Sequence, residues 1–106
     1  MYAIKLTLEG QLTKDNNRLN AIGDDLLIVK DMIKLLNIQG LQTVIEAMYD
    51  EFEGISDEIG NVSTVLKRAR TKETLRSCVH IVNQQSYRVA AFKAKLDNLI
   101  EIVNKY

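Results

Sequence analysis

The sequence predicts an all-α protein, an elongated antiparallel three-helix bundle (up-down-up) with coiled-coil-like heptad packing. Three observations support this prediction. Apolar residues recur at alternating steps of three and four along three stretches, the phase of that repeat breaks twice, and the chain contains no proline. With 106 residues, 46% of them hydrophobic, residues 1–106 are expected to form a single helical domain.

The first stretch predicts a helix over about residues 4–37. Its a and d positions, the heptad positions that pack helix against helix, run from Leu8 to Leu36, and only Asp15 among them is polar. Residues 4–8 also alternate as a strand does. A lone strand has no partner for its backbone groups, so a frayed helix start is the favoured interpretation and a strand the alternative.

The second stretch predicts a helix over about residues 40–70, with a and d positions from Leu41 to Ala69 that are all apolar. The connecting residues 37–40 read NIQG, in which Asn37 or Gly40 is suited to the left-handed conformation that ends a helix. Gly54 lies inside this stretch, and a helix that restarts near residue 56 is the alternative.

The third stretch predicts a helix over about residues 72–106, in which Gln85 is the polar member of the a and d positions. The step from Ala69 to Leu75 breaks the phase, and Thr71 is a candidate N-cap. Because this turn contains no glycine, one long helix formed by the second and third stretches is the alternative.

Asp15, Asn61 and Gln85 fall at similar heights on the three predicted helices. We therefore predict a polar layer across the apolar core, of the kind that fixes helix register at a cost in stability. The alternative for Asp15 is that its carboxylate points to water near a frayed helix end.

Cys78 and His80 are the only cysteine and histidine in the chain. In the third heptad repeat Cys78 is a core position and His80 an outward position, since residues two apart on a helix point about 200° away from each other. A thiolate and its general base must lie within hydrogen-bonding distance, so this pair is not expected to act as a catalytic dyad.

The remaining composition favours a protein without an enzymatic centre. No glycine-rich phosphate loop precedes a Lys-Ser or Lys-Thr pair, and one histidine with one cysteine cannot complete a metal site. We expect no catalytic residues, no cofactor, no metal and no small-molecule substrate. Equal numbers of bases and acids, 14 each, make nucleic acid an unlikely partner.

No stretch has the length of a membrane span or the pattern of a signal peptide, so we expect a cytoplasmic protein without membrane insertion. Secretion that needs no signal peptide is left open.

Three groups of outward-facing residues are candidate binding surfaces. Leu27, Ile28 and Leu35 form an apolar strip on the first helix, which predicts contact with a partner helix or a second copy; the alternative is a wider core. The other two groups are charged: an acidic stripe on the second helix (Glu46, Asp50, Glu53, Asp57) and a basic end around the second turn (Lys67, Arg68, Arg70, Lys72, Arg76). The acidic stripe is interpreted as a solvated face or as a docking surface for a basic partner.

A helical chain of this size with the turn Ile38-Gln39-Gly40 resembles the small secreted proteins of bacterial type VII systems. Their Trp-x-Gly turn has a tryptophan where this chain has Ile38, and a third helical stretch replaces their short tail. Three long helices in 106 residues also resemble a spectrin repeat, which has a tryptophan in its first helix that is missing here.

The predicted function is that of a non-catalytic helical interaction or assembly module, acting as an adaptor or homo-oligomer. Two alternatives remain open. One is a small helical protein of a type VII-like system, carried with a partner. The other is a nucleic-acid accessory protein that uses the basic turn at residues 67–76.

Overall fold

The structure is a computed structural model that describes residues 2–106, with side chains from residue 3 onward. It contains three helices: α1 (Tyr2–Leu36), α2 (Gln39–Arg68) and α3 (Lys72–Asn104). All three helix pairs are in contact, and the described residues include no strand. The prediction of an all-α three-helix bundle is therefore confirmed, and residues 4–8 belong to α1.

The bundle is elongated, with dimensions of 52 × 17 × 16 Å. The helices run up, down and up, so α1 and α3 are parallel and α2 runs against both. Because α2 ends at Arg68 and α3 begins at Lys72, the alternative of one long helix is wrong. The predicted helix ends differ from the observed ones by at most two residues, which is the usual uncertainty at a helix terminus.

The core follows the three- and four-residue repeat along nearly its whole length. On α1 every predicted core position from Leu8 to Ile33 is buried, and on α3 the same holds from Leu75 to Val103. The repeat fails at the ends of these helices, where Leu36 and Tyr106 are exposed, because no facing helix extends far enough to cover them. Near the middle of α2, the ring of Phe52 packs against that of Phe92, with centroids 6.3 Å apart.

The first turn is closed by a left-handed asparagine. Asn37 has φ of 54°, its amide donates to the Lys34 carbonyl at 3.2 Å, and the Ile38 amide donates to the Ile33 carbonyl at 3.2 Å. These two bonds form a Schellman motif, which satisfies carbonyls that the helix leaves free. Gly40, the other residue suited to this role, lies inside α2 and has no positive φ.

The second turn ends one helix and starts the next without a left-handed residue. Ala69 leaves α2 in an extended conformation and its methyl group is buried. Thr71 is the N-cap of α3, and its hydroxyl accepts a hydrogen bond from the Thr74 amide at 3.2 Å. The side chain thereby pairs with an amide that has no partner in the first turn of the helix.

Candidate functional site

The thiol and the imidazole lie on different sides of α3. Cys78 is fully buried, and burial raises the pKa of its thiol, which keeps it neutral and unreactive at physiological pH. His80 is exposed, and its Nε2 lies 3.2 Å from the side-chain nitrogen of Gln84, one turn further along the helix. This geometry offers no base to the thiol.

The polar layer in the core has two of its three predicted members. Asp15 and Gln85 are fully buried, so the alternative of a solvent-facing Asp15 is wrong. Asn61 is exposed, which corrects the prediction for α2. The reason is the phase of the repeat: the neighbouring Val62 occupies the inward position, and Asn61 is turned away from it toward solvent.

Two residues that the repeat did not indicate supply the hydrogen bonds of this layer. The Ser86 hydroxyl donates to the Asp15 carboxylate at 2.7 Å, and the Gln11 amide donates to the same carboxylate at 3.1 Å. The Gln11 amide also lies 3.2 Å from the Ser86 oxygen. Gln11 is one turn before Asp15, and this spacing was the signal available in the sequence. Neither polar atom of the Gln85 side chain has a partner.

The outer face of α1 carries the apolar strip formed by Leu27, Ile28 and Leu35. These side chains are 52%, 58% and 88% exposed, so they lie outside the core and the alternative of a wider core stripe is wrong. Leu6, nearer the start of the helix, is 50% exposed. Apolar residues therefore lie on both the inner and the outer face of α1.

The other two helices separate apolar and polar faces more cleanly. Large apolar side chains that are exposed on α2 are limited to Val44 and Val65, and on α3 to Tyr87 and Ile102. An amphipathic helix of a free-standing bundle is expected to look like α2, with one apolar face. The apolar outer face of α1 is the feature of this bundle that the packing of its own core does not explain.

The acidic stripe on α2 is exposed at all four of its residues, Glu46, Asp50, Glu53 and Asp57. Two acids beside it pair with α3: Glu51 with Lys95 at 2.8 Å, and Glu58 with Arg88. The bases of α3 therefore neutralise the edge of the stripe, whereas its four members form no salt bridge within the described chain.

The basic end is exposed at all five of its residues, Lys67, Arg68, Arg70, Lys72 and Arg76. One of the five also bonds within the fold: the Arg70 guanidinium donates to the carbonyls of Lys67 and Ala69 at 3.4 and 3.2 Å. The Lys5 ammonium of α1 donates to the Lys67 carbonyl at 3.0 Å. Cations at this position stabilise the negative C-terminal end of α2.

Several open grooves flank the helices. One, of about 570 Å³, lies between α1 and α2, where small residues such as Ser56, Gly60 and Ser63 leave space above Leu12 and Ile59. Another, of about 210 Å³, lies at the basic end; it is mostly apolar and is lined by Ile4, Lys72, Leu75, Arg76 and Val79. Neither of these two grooves contains a nucleophile paired with a base.

Within residues 2–106 no cluster of three or more His, Cys, Asp or Glu side chains is arranged to hold a metal ion. In the same part of the chain, no helix combines the length and the apolarity that a bilayer span requires.

Charge is distributed unevenly along the long axis. Residues 2–19 and 56–90, which form the half of the bundle at the second turn, contain nine bases and five acids. Residues 20–55 and 91–106, which form the other half, contain five bases and nine acids. The neutral chain is therefore a dipole, with a basic half and an acidic half.

Comparison with known protein families, with curated proteins and with solved structures finds no significant match to this chain. The function is accordingly argued from the surface of the bundle itself.

Proposed function

We propose that this chain is a non-catalytic helical interaction module that binds an α-helix, from a partner protein or a second copy, along the outer face of α1. The observation that supports it most directly is the exposure of the apolar strip Leu27, Ile28 and Leu35 on a helix whose opposite face already packs in the core. A helix with apolar residues on two opposite faces is typical of a helix that is packed against other elements on both of those faces.

The strip offers binding energy that the isolated bundle does not use. Full burial of a leucine or isoleucine side chain stabilises by about 1.5–3 kcal/mol relative to exposure, and each of these three side chains is more than half exposed. Covering them with a partner helix therefore contributes on the order of 1–2 kcal/mol each. In such a contact, apolar residues spaced by three, four and seven positions on the partner helix would pack on the strip.

Charged surfaces elsewhere on the bundle would orient the partner. The acidic stripe of α2 and the basic end lie on different parts of the surface, so a partner with the opposite arrangement of charge is favoured in one direction only. In this role the charges set direction and association rate, and the apolar strip supplies most of the affinity.

The test is a selection of displayed amphipathic helical peptides against the folded chain. The selected peptides are then measured against the variant Leu27→Gln/Ile28→Gln/Leu35→Gln and against the matched control Val44→Gln/Val65→Gln, which changes exposed apolar residues of α2. We expect affinity to fall by tenfold or more for the strip variant and to stay within twofold for the control. Peptides that bind both variants equally would refute the proposal, provided that circular dichroism shows both variants folded.

The exposed basic end supports a second candidate, a nucleic-acid accessory role. It predicts a salt-dependent mobility shift of DNA or RNA that disappears in Arg68→Glu/Arg76→Glu. If no shift occurs at low salt, this candidate is refuted and the helix-binding proposal is unaffected.

A further inference from the structure

The outer face of α1 has charges of opposite sign in its two halves. Lys14 and Arg18 lie in the first half, and Asp24, Asp25 and Asp31 lie in the second; all five are exposed. Of the other bases of α1, Lys5 bonds to the end of α2 and Lys30 lies over the Tyr49 ring at 5.0 Å. Lys34 is exposed beside Leu35, so the second half of this face has one base beside its three acids.

The middle of the same face is small and uncharged. Between the basic and the acidic groups lie Asn20 and Ala21, both exposed. Nearer the start of the helix, the exposed Gly10 has open space where a side chain would stand. Exposed apolar residues flank this middle, with Leu6 before it and Leu27, Ile28 and Leu35 after it. The face therefore has a centre at which another helix is able to approach closely.

We propose that the partner is a second copy of this chain, packed antiparallel along α1 about a two-fold axis beside Asn20 and Ala21. The inference rests on the proposed function and names its partner. A two-fold pair uses the same surface on both copies, so the face must be complementary to itself when reversed.

The spacing of the residues meets this condition. With the axis between Asn20 and Ala21, Leu35 of one copy stands at the level of Leu6 of the other, and Leu27 stands at the level of Lys14, whose aliphatic stem is able to cover it. Leu35 and Leu27 are thus matched by an apolar or a long side chain on the second copy, and Ile28 stands at the level of Thr13.

The charges decide the direction of the pair. In the antiparallel arrangement, Arg18 of one copy lies within two residues of the levels of Asp24 and Asp25 of the other, and Lys14 lies between Asp24 and Asp31. In a parallel pair each of these residues would face the same residue of the other chain, so that acid would lie against acid and base against base. Like charges across an interface are destabilising, so the antiparallel direction is favoured.

The size of the face is adequate for such a pair. A helix of 35 residues is about 52 Å long, since each residue rises 1.5 Å. A contact about 50 Å long and one helix wide, ~10–12 Å, covers about 500–600 Å² per partner, which is the size of a weak, reversible interface and below the ~800 Å² of a standard one.

The first measurement is the mass of the chain in solution, by light scattering or sedimentation equilibrium over a range of concentration. We expect a reversible change from the 12.0 kDa chain to twice that mass. The double variant Lys14→Glu/Arg18→Glu should weaken pairing by about tenfold, through two lost ion pairs and new repulsion on each side of the axis. Mixing it with Asp24→Lys/Asp25→Arg should restore pairing, because the exchanged charges are again opposite.

The second measurement fixes the register with disulfides, in a Cys78→Ala background. Ala21→Cys, beside the axis, should oxidise to a covalent dimer. Gly10→Cys should not cross-link to itself but should cross-link to Asp31→Cys when the two variants are mixed, because these residues share a level across the axis. Ala47→Cys, exposed on α2, is the matched control and should form no disulfide-linked dimer.

Two results would overturn the inference. One is a chain that remains a monomer at about 1 mM, which limits any pairing energy to less than about 4 kcal/mol. The other is cross-linking of Gly10→Cys to itself in preference to Asp31→Cys, which indicates a parallel pair. A monomer whose strip still binds selected helical peptides refutes the second copy as the partner and leaves the proposed function standing, so the two failures are distinguishable.

Discussion

At position 85 the bundle buries a glutamine side chain that has nothing to bond with. Asp15, at a similar level of the core, receives hydrogen bonds from Ser86 and Gln11, whereas both polar atoms of Gln85 are buried without partners. A buried amide that has lost its water and gained no partner costs on the order of 1–3 kcal/mol. Burial of the Gln85 amide therefore lowers the free energy of unfolding of this bundle.

We predict that Gln85→Leu stabilises the protein by about 1–2 kcal/mol, because leucine has a similar volume and no polar atoms to desolvate. Urea denaturation followed by circular dichroism measures the difference. The neighbouring exposed residue provides the control: Gln84→Leu should change stability by less than about 0.5 kcal/mol. A loss of stability in Gln85→Leu would show that the amide has a partner in solution.

A second prediction at this scale concerns Cys78. Because it is fully buried, its reaction with a thiol reagent should be at least a hundredfold slower in the folded protein than in urea, where the whole chain is accessible. Reaction of the folded protein at the unfolded rate would contradict the buried position. An introduced exposed cysteine, such as Ala47→Cys in a Cys78→Ala background, serves as the fast-reacting control.

The pH dependence of stability follows from the same burial, which raises the pKa of the Cys78 thiol above that of the unfolded chain. The neutral thiol contributes stability in full below the unfolded pKa of about 8.5, and this contribution is lost as pH rises from there through the higher folded pKa. The free energy of unfolding should therefore fall more steeply above about pH 8.5 in the wild type than in Cys78→Ala.

The heptad repeat predicted which residues enter the core, but not how the polar ones are satisfied. Asp15 and Gln85 were identified because a and d positions of all three helices point inward. Ser86 and Gln11 were missed because a hydrogen bond depends on the axial offset between helices, and the repeat does not fix that offset. Asn61 was placed in the layer from its estimated height alone, and height says nothing about the direction of a side chain.

At the scale of single helices, the interior of α2 carries two glycines that its packing does not require, Gly54 and Gly60. A methyl group added at Gly54 or Gly60 would meet nothing within 4 Å. Gly23 of α1 is different, because a methyl group there would lie 2.8 Å from the Phe52 ring. Gly23 thus leaves space for the aromatic ring of Phe52, in the layer where Phe52 also packs against Phe92.

We predict that Gly54→Ala and Gly60→Ala each stabilise the protein by about 0.5–1 kcal/mol, because alanine restricts the unfolded chain and favours the helix. Gly23→Ala should gain nothing or lose stability, since the ring of Phe52 must move to accommodate the methyl group. Thermal unfolding of the three single variants provides the comparison. Equal gains at all three positions would refute the contact between Gly23 and Phe52.

The turns show how far local sequence determines where an element ends. Thr71 was predicted as an N-cap from its residue type and is one. For the first turn two residues were suitable, and only the structure shows that Asn37 takes the left-handed conformation while Gly40 continues as helix. Both choices allow a helix to stop within the same few residues, so the packing of Ile38 against the core decides between them.

At the scale of the whole molecule, a basic half and an acidic half make two modes of self-association possible on charge alone. Copies are able to join end to end, or to lie side by side in opposite directions. The apolar strip lies along the side of α1, which favours the second mode, because end-to-end contact would leave Leu27 and Ile28 uncovered.

Small-angle X-ray scattering separates the two modes. A single bundle has a length of 52 Å and a radius of gyration of 16.5 Å. We predict that the paired form keeps a maximum dimension close to that length, since two bundles side by side are wider but hardly longer. End-to-end association would give about twice the length. Added salt should weaken the pair moderately, because the ion pairs at its edges are exposed.

An odd number of helices has a consequence for how this fold is able to evolve or be engineered. Residues 2 and 106 lie at opposite ends of the bundle, so one copy cannot be closed into a ring by a short peptide. In the antiparallel pair, however, the end of α3 in one copy lies at the same end of the assembly as the start of α1 in the other copy. A tandem gene duplication with only a brief linker would then yield a six-helix monomer with the interface already inside it.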